Sequence, residues 1–297
     1  MTALMPKIVT FTADDGYRFH CRRWDVENAA GDVIVLHGII SHSGWYLETG
    51  SNLAAAGFNV HSLDRRGSGL NLQDRGDVTT CDRWIDDVIG YIRSIQASQS
   101  ANEPATGNKP PRPIFLVGIS WGSLLATAVA RRLGNEVSGL VLLCPGFFSR
   151  KGTSQIQHTA VKIATNAGLG GLRFPVPLRD PELFTRSASW RAYIADDPFT
   201  LRRVTLRLAT ASAKLYHDVV KTPVEISTPT LLMLGGQDLI IHNDQVSLFV
   251  KRYFGEQPKI IEYPTAAHTL EFEDDTIDYM KDLSDWCVSR SAAARSN

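Results

Sequence analysis

The sequence has no charge imbalance, no long apolar run and no cysteine motif. Its 297 residues contain 31 Lys+Arg and 31 Asp+Glu without a Lys/Arg block, so we expect no nucleic-acid partner. No stretch approaches the roughly 18 consecutive apolar residues of a membrane span, so we expect no integral membrane segment. The four cysteines are scattered, and no apolar core follows a basic start. This combination is typical of a cytoplasmic protein in a reducing compartment.

Short β-rich runs alternate with helical patterns along most of the chain. Four continuous apolar runs are typical of strands buried on both faces: VIVL, PIFLVG, GLVLLC and TLLMLGG. This alternation predicts an α/β fold in which a mostly parallel, twisted sheet carries helices on both faces. We expect residues 1–146 and 223–297 to form this core.

The alternation is lost in residues 147–222. This span contains prolines, scattered aromatic residues and mainly helical patterns, so we predict a helical cap, or lid, inserted above the sheet. Its apolar residues would form an acyl-binding channel if enough of them faced the sheet, or would only attach the cap to the core. They are Phe147, Phe148, Leu172, Phe174, Leu178, Leu183, Phe184, Trp190, Tyr193 and Phe199.

A strand, a serine and a helix follow one another directly at Ser120. The strand PIFLVG leads into residues 118–122, GISWG, which match G-x-S-x-G, and SLLATAVARRL continues as a helix. A serine on such a sharp turn has a strained backbone that only small flanking residues permit. Its hydroxyl is held clear of the sheet beside a helix N-terminus. We therefore predict Ser120 as a nucleophile.

A serine hydroxyl needs a base to take its proton and a third group to orient that base. After a turn of this kind the expected chain order is serine, acid, histidine. Asp238 stands just past the strand TLLMLGG, and His268 stands just past the strand KIIEYP. Both would project from the same edge of the sheet as Ser120, so we predict Asp238 as the acid and His268 as the general base.

Other positions are weaker candidates for these roles. The position after GLVLLC can carry the acid instead, but Cys144 and the two residues after it offer no carboxylate. Of the competing histidines, two lie in strand patterns, two in the predicted cap, and one follows Asp238 too closely to approach from another strand. These are His20, His61, His158, His217 and His242.

The oxyanion of a tetrahedral intermediate must be met by backbone N–H groups. One donor should be Trp121, which follows the nucleophile, and the other should lie in the loop after VIVLHG, where Ile39 is the candidate. His37 either braces that loop or is simply a buried, hydrogen-bonded histidine. Such chemistry requires no cofactor and no metal.

With these residues placed, the chain resembles the α/β-hydrolase superfamily over nearly its full length. Within it, the sequence is most similar to the monoacylglycerol lipase and lysophospholipase group. The family's H-G-x-x-x-H-S-x-x-Y appears in LHGIISHSGWY, and its D-x-R-G-x-G appears in SLDRRGSGLN. Three residues depart from the family pattern without touching the predicted triad: Ser41 replaces a frequent acidic residue, Ser68 a histidine and Ser123 a glycine.

The resemblance implies a serine hydrolase that cleaves lipophilic carboxylic esters such as monoacylglycerols or lysophospholipids, with a small-molecule ester as its partner. A thioesterase or a carbon–carbon bond hydrolase with the same triad remains an alternative. A non-catalytic binding protein on the same scaffold is a third reading, which the intact set of serine, aspartate and histidine disfavours. Dehalogenases and epoxide hydrolases of this fold carry aspartate at the position of Ser120.

Overall fold

A computed structural model describes residues 4–101, 111–150, 163–255, 257–273 and 278–296. The strands of the described chain are β1 (Lys7–Thr12), β2 (Arg18–Trp24), β3 (Asp32–Leu36), β4 (Asn59–Leu63), β5 (Ile114–Ile119), β6 (Gly139–Leu143), β7 (Arg173–Pro175), β8 (Arg203–Thr205), β9 (Thr230–Gly235) and β10 (Lys259–Tyr263). Eight of them form one sheet in the order β1-β2-β4-β3-β5-β6-β9-β10, and β7 pairs with β8.

The centre of the sheet is parallel and fully covered. β3, β5, β6 and β9 are parallel neighbours that are buried along their whole length, as their continuous apolar runs predict. β2 pairs antiparallel with β1 and with β4 at one side of the sheet. Because the central strands share one direction, the loops that follow β3, β5, β6, β9 and β10 open at one edge.

Helices cover the sheet on both faces. They are α1 (Leu47–Ala55), α2 (Cys81–Ala101), α3 (Gly122–Leu133), α4 (Ala188–Asp196), α5 (Leu206–Tyr216), α6 (Asn243–Tyr253) and α7 (Tyr279–Ser296). α1 packs against α7, and α2 packs against α3. None of the helices in the described ranges combines the length and the apolar character needed to cross a bilayer.

The start of α2 differs slightly from the sequence pattern. Helical spacing of apolar residues from Thr79 to Ile95 predicts this helix, with Thr79 as its cap. In the structure the helix begins at Cys81, because the hydroxyl of Thr80 accepts a hydrogen bond from the backbone N–H of Arg83 at 3.2 Å.

We call residues 163–222, which lie between β6 and β9, the cap segment. It contains α4, α5 and the two-stranded antiparallel β7–β8 sheet, and α5 packs against α2 and α3. The sequence pattern misses this small sheet because its three-residue strands, which contain arginine and proline, show no clear alternation. The predicted division at residues 146/147 and 222/223 stays a prediction, and residues 151–162 of the predicted cap, including His158, lie outside the described ranges.

Candidate active site

Ser120 stands on a sharp turn between β5 and α3. Its φ is +53°, a value that non-glycine residues seldom adopt. Its N–H donates to the carbonyl of Leu143 at 2.9 Å, and its carbonyl accepts from the N–H groups of Ser123 (3.0 Å) and Gly146 (2.9 Å). These bonds hold the strained backbone in place, and such strain is typical of functional sites.

The two glycines of the G-x-S-x-G pattern are required by close packing at this turn. A Cβ on Gly122 would lie 2.1 Å from the carbonyl oxygen of Leu36, and a Cβ on Gly118 would lie 2.6 Å from the Cα of Ser123. Side chains at either position would therefore push the turn away from β3 or from α3. The pattern has a steric cause in this chain.

The structure brings together the three side chains predicted as a triad. The imidazole Nε2 of His268 lies 2.8 Å from the Oγ of Ser120, and its Nδ1 lies 2.6 Å from the Oδ2 of Asp238. The other carboxylate oxygen, Oδ1, accepts from the N–H groups of Ile240 (2.7 Å) and Ile241 (3.1 Å). Asp238 and His268 are buried, whereas Ser120 is half-buried. The arrangement can pass a proton from Ser120 to His268 while Asp238 orients the ring.

Backbone contacts hold the loops of Asp238 and His268 against each other. The N–H of Gln237 donates to the carbonyl of Ala266 at 2.8 Å. A Cβ on Gly235 would lie 2.1 Å from the carbonyl oxygen of Ala267, so only glycine fits at the end of β9. The separation between acid and base is therefore set by the main chain.

Ile39 and Trp121, the predicted oxyanion donors, lie beside Ser120 in the structure. Ile39 lines the same cavity as Ser120 and His268, and Trp121 directly precedes the first residue of α3. The loop of Ile39 runs close to the nucleophile, because a Cβ on Gly38 would lie 3.4 Å from the Cβ of Ser120. The N–H groups of Ile39 and Trp121 thus belong to two backbone segments that lie close to Ser120.

His37 braces the loop that carries Ile39. Its Nε2 lies 3.0 Å from the N–H of Arg65 and accepts from it, so its Nδ1 carries a proton and donates to the carbonyl of Gly38 at 2.8 Å. Burial and the neighbouring charge of Arg65 hold the pKa of His37 well below its ordinary value, so the ring is neutral. The peptide that His37 fixes is the one whose N–H belongs to Ile39.

A small cavity lies beside Ser120 and His268. Its apolar lining comes from both the core and the cap segment, which contributes Leu178 and Phe184. The remaining lining residues are Gly38, Ile39, Ile40, Ser41, Trp45, Tyr46, Ile119 and Thr269. Burial raises the pKa of Tyr46 above its ordinary value, so this phenol stays neutral.

Other apolar residues named for the channel do not line this cavity, and some of them pack against the core instead. Trp190 stacks on Phe272 with ring centroids 4.4 Å apart, and Phe147 stacks on Phe254 at 5.9 Å. Leu172 is exposed. Sequence pattern cannot separate such packing residues from Leu178 and Phe184, because both kinds are apolar and lie in the same segment.

Sequence reasoning missed Asp197, which anchors the cap segment beside the site. Its Oδ2 lies 2.8 Å from the Nε2 of His42 and accepts from the indole N–H of Trp45 (2.8 Å) and the hydroxyl of Thr200 (2.8 Å). Burial opposes its ionisation, but the bonds from His42 and Trp45 outweigh it and lower the pKa of Asp197. His42 belongs to the family motif H-G-x-x-x-H-S-x-x-Y, but nothing in the sequence near Asp197 identifies this aspartate as the partner of His42.

Cys144, at the position considered for an alternative acid, lies against the triad. One ligand atom each of Cys144, Asp238 and His268 falls within 4.8 Å of the others. A metal ion would require the thiolate form, but burial and the charge of Asp238 raise the pKa of the Cys144 thiol well above its ordinary value. The thiol stays protonated, and the cluster fits a triad better than a metal site.

The competing histidines that the structure describes are engaged elsewhere. His61 bonds Tyr91 (2.9 Å) and Asp32 (3.1 Å), and His20 lies 3.0 Å from Asn71. His242 precedes α6, and His217 follows α5 as an exposed side chain. None of these four rings is hydrogen-bonded to Ser120 in the described chain.

The family model described as "Serine aminopeptidase, S33" matches residues 27–275 of the chain. Two relatives are 25% identical to it: a monoacylglycerol lipase of Mycolicibacterium smegmatis over 290 residues (94% of this chain, 96% of the relative) and a monoglyceride lipase of Mus musculus over 293 residues (94% and 90%).

A solved structure has the same fold. It is a soluble variant of monoglyceride lipase from Saccharomyces cerevisiae in complex with a substrate analog, with a TM-score of 0.83, 19% identity and 97% coverage of both chains. The predicted fold class and the resemblance to the monoacylglycerol lipase group are confirmed.

Proposed function

The chain belongs to the serine aminopeptidase S33 family, and on this premise we propose that it hydrolyses lipophilic esters, monoacylglycerols foremost, through an acyl-enzyme on Ser120. It is an α/β-hydrolase of the monoglyceride lipase-like group and a carboxylic ester hydrolase. The proposal adds the mechanism, the residues that carry it and the substrate class.

The reaction proceeds in two halves. The Oγ of Ser120 attacks the ester carbonyl while the Nε2 of His268 takes its proton, and the resulting oxyanion is held by the N–H groups of Ile39 and Trp121. The imidazolium, steadied by Asp238, then protonates the departing alkoxide, which leaves an acyl group on Ser120. Water attacks this acyl-enzyme with His268 again as base, and the carboxylic acid leaves as His268 returns the proton to Ser120.

One observation carries the mechanism: the continuous hydrogen-bonded series from Ser120 through His268 to Asp238. Its two distances, 2.8 Å and 2.6 Å, lie within hydrogen-bonding reach, and the nucleophile sits at the strained turn that such sites require. The loops of the acid and the base are tied by main-chain contacts, so the triad is preorganised without a substrate.

The cavity supports a lipophilic acyl group over a charged one. Half of its twelve lining residues are Ile, Leu, Trp or Phe, and a neutral ester could leave water there at little cost. The relatives named as monoacylglycerol lipases agree with this choice. An aminopeptidase would need a carboxylate to meet the substrate's ammonium group, and in the described chain the lining of this cavity has none.

Hydrolysis of a graded set of esters tests the proposal. Wild-type protein should hydrolyse monooctanoylglycerol faster than glyceryl monoacetate and should release little product from an amino-acid anilide. Ser120→Ala should lose activity by about four orders of magnitude or more. Ser138→Ala is the matched control, since this half-buried serine lies at the opposite end of the sheet, where its N–H bonds Ile114, and it should keep wild-type rates.

Two results would contradict the proposal. Activity of Ser120→Ala equal to that of Ser138→Ala would remove Ser120 from the mechanism. Preference for the acetyl ester over the octanoyl ester would remove the lipophilic acyl group. A rate with octanoyl thioesters far above that with octanoyl esters would instead favour the thioesterase alternative.

A further inference from the structure

Arg65 is a buried cation behind the proposed oxyanion loop. Only 6% of the residue is exposed, and its guanidinium carbon lies 4.6 Å from the ring centroid of Trp121 and 5.5 Å from that of Trp84. Burial of a charge is costly unless hydrogen bonds and counter-charges compensate for it. The family pattern D-x-R-G-x-G does not specify this position, so the pattern does not account for the arginine.

The hydrogen bonds of Arg65 do not repay that cost. Its Nη2 donates to the carbonyl of Ile39 at 2.9 Å, whereas its buried Nε and Nη1 have no partner in the described ranges. The carboxylate of the adjacent Asp64 accepts from the N–H groups of Ser43 (2.7 Å) and Leu70 (2.9 Å). Burial lowers the pKa of Arg65 to about 9, and the side chain still carries its charge at neutral pH. Burying this guanidinium costs free energy, and two of its nitrogens lack hydrogen-bond partners in the described ranges, so its presence here needs a functional explanation.

Arg65 touches both residues that supply the proposed oxyanion donors. Its guanidinium binds the carbonyl of Ile39 on one side and stacks on the ring of Trp121 on the other. Its own N–H also fixes the ring of His37, which in turn holds the carbonyl of Gly38. Arg65 therefore contacts two segments of the site. One is the loop after β3, at Ile39, and the other begins directly after Ser120, at Trp121.

We propose that Arg65 is a positioning residue that sets the separation between the N–H groups of Ile39 and Trp121. The inference rests on the proposed function, because it assumes that these two groups receive the oxyanion. A planar, delocalised cation suits the task, since it can stack on an indole and donate in its own plane at the same time. The ring of Trp121 is further held by Ser212, which accepts from its Nε1 at 2.7 Å, so its place against Arg65 is well defined.

Arg65→Met tests the inference, because methionine keeps the volume but cannot donate to Ile39. Its kcat should fall about tenfold or more, short of the 10²- to 10³-fold loss that follows removal of a whole oxyanion donor. KM should stay within about twofold, because the donors act on the transition state and not on the bound ester. The inhibition constant of an octyl trifluoromethyl ketone, which forms a tetrahedral adduct with serine, should rise by the same factor as kcat falls.

Arg131→Met is the matched control. Arg131 also has a buried Nε without a partner in the described chain, and it donates to the backbone carbonyls of Asp218 (2.8 Å) and Val219 (3.1 Å). It lies on α3, far along the helix from Ser120. Its substitution should change thermal stability without changing kcat or the affinity of the ketone.

Arg65→Lys covers the case in which Arg65→Met does not fold. Lysine keeps the charge but loses the planar stack, so its kcat should fall at least about threefold with an unchanged melting temperature, and ketone affinity should fall with it. Unchanged kcat and ketone affinity in the folded variants, or a rise in KM alone, would overturn the role of Arg65. Failure of the wild-type protein to hydrolyse any ester would instead overturn the proposed function.

Discussion

The core side of the site and the cap segment hold their residues by different means. On the core side, Ser120, Asp238 and His268 stand on turns fixed by main-chain hydrogen bonds and by glycines that no side chain could replace. The cap segment meets the same cavity through Leu178 and Phe184, and it is anchored beside it by the carboxylate of Asp197.

The core side of the site is therefore preorganised by the main chain, whereas the cap segment is attached to it through side chains. Main-chain contacts fix the turns that carry the predicted triad, and these contacts do not depend on the ionisation of a side chain. The anchor at Asp197 depends on one ionised group, and a single substitution or a low pH removes it. We therefore expect substitutions within the predicted triad to affect chemistry, and substitutions at the Asp197 anchor to affect stability and access to the cavity.

The largest effect should come from Asp238→Asn. An amide in place of the carboxylate favours the wrong tautomer of His268 and should lower kcat about 10⁴-fold, as it does in a serine protease with the same arrangement. Steady-state ester hydrolysis measures this loss, with Asp244→Asn as the control, because that aspartate is exposed on α6. If Asp238→Asn kept more than a tenth of the wild-type activity, the proposed role of Asp238 in orienting His268 would be contradicted.

The anchor of the cap segment should give the largest stability effect. Asp197→Asn leaves His42, Trp45 and Thr200 without a charged acceptor and should lower the free energy of unfolding by about 4 kcal/mol. Urea denaturation at pH 7 measures this loss. Asp196→Asn is the control, since that neighbour is exposed, and equal stability of the two variants would show that Asp197 does not anchor the segment.

The pH dependence of this anchor has a definite sign. The pKa of Asp197 is lowered in the folded state. Its stabilisation is therefore present above the unfolded value and lost as the pH falls through the folded value. The stability difference between wild type and Asp197→Asn should shrink in strong acid, and a constant difference from pH 7 downward would contradict the assignment.

A buried glutamate on the core side provides a contrasting pH response. The carboxylate of Glu271 accepts from the N–H of Glu48 (2.8 Å) and the hydroxyls of Tyr279 (2.6 Å) and Thr49, and it joins the loop after His268 to the start of α1. Burial raises the pKa of Glu271 from 4.5 to about 7. Because the folded value is the higher one, this contribution is present below about pH 4.5 and is lost as the pH rises through about 7.

Glu271→Gln removes that titration. Relative to wild type, the variant should gain up to about 3 kcal/mol in the free energy of unfolding between pH 4.5 and pH 7.5. Urea denaturation of both proteins across this range isolates Glu271, because all other titrating groups are shared. Parallel stability curves for the two proteins would contradict the expectation.

The smallest expected effects are the stability changes caused by alanine substitution of two glycines. A Cβ on Gly146 would lie 3.3 Å from the backbone N of Trp121, so Gly146→Ala should cost about 1 kcal/mol and reduce kcat by displacing the turn. A Cβ on Gly171, in the cap segment, would meet nothing within 4 Å, and Gly171→Ala should gain about 0.5 kcal/mol through the unfolded state. Thermal unfolding of both variants measures the difference, and effects of the same sign would weaken the comparison.

The sequence predicts the core side better than the cap segment for a physical reason. Strand periodicity and turn glycines are local signals, and they suffice to place Ser120, Asp238 and His268 just past the ends of three strands. The bonds of Asp197 to His42 and of Glu271 to Thr49 join residues 155 and 222 positions apart. No local pattern marks such partners, and the pairing of the short strands β7 and β8, which α4 separates in the chain, is hidden for the same reason.

Arg65 illustrates a further limit of sequence reasoning. It occupies the variable position of a recognised motif, where its type carries no information. Only its contacts with Ile39 and Trp121 in the folded chain give it a role. Local pattern predicts Ser120, Asp238 and His268, whereas the proposed role of Arg65 is inferred only from packing in the folded chain.

Trapping the acyl-enzyme tests the central claim most directly. Wild-type protein and Ser120→Ala are mixed with an excess of 4-nitrophenyl octanoate, quenched in acid within milliseconds and digested. The mass of the peptide that contains residue 120 is then measured by mass spectrometry. We predict a burst of one nitrophenol per protein molecule and an octanoyl group on Ser120 of the wild type, with neither in the variant. Turnover by the wild type without an adduct on Ser120, or with an adduct on another residue, would contradict it.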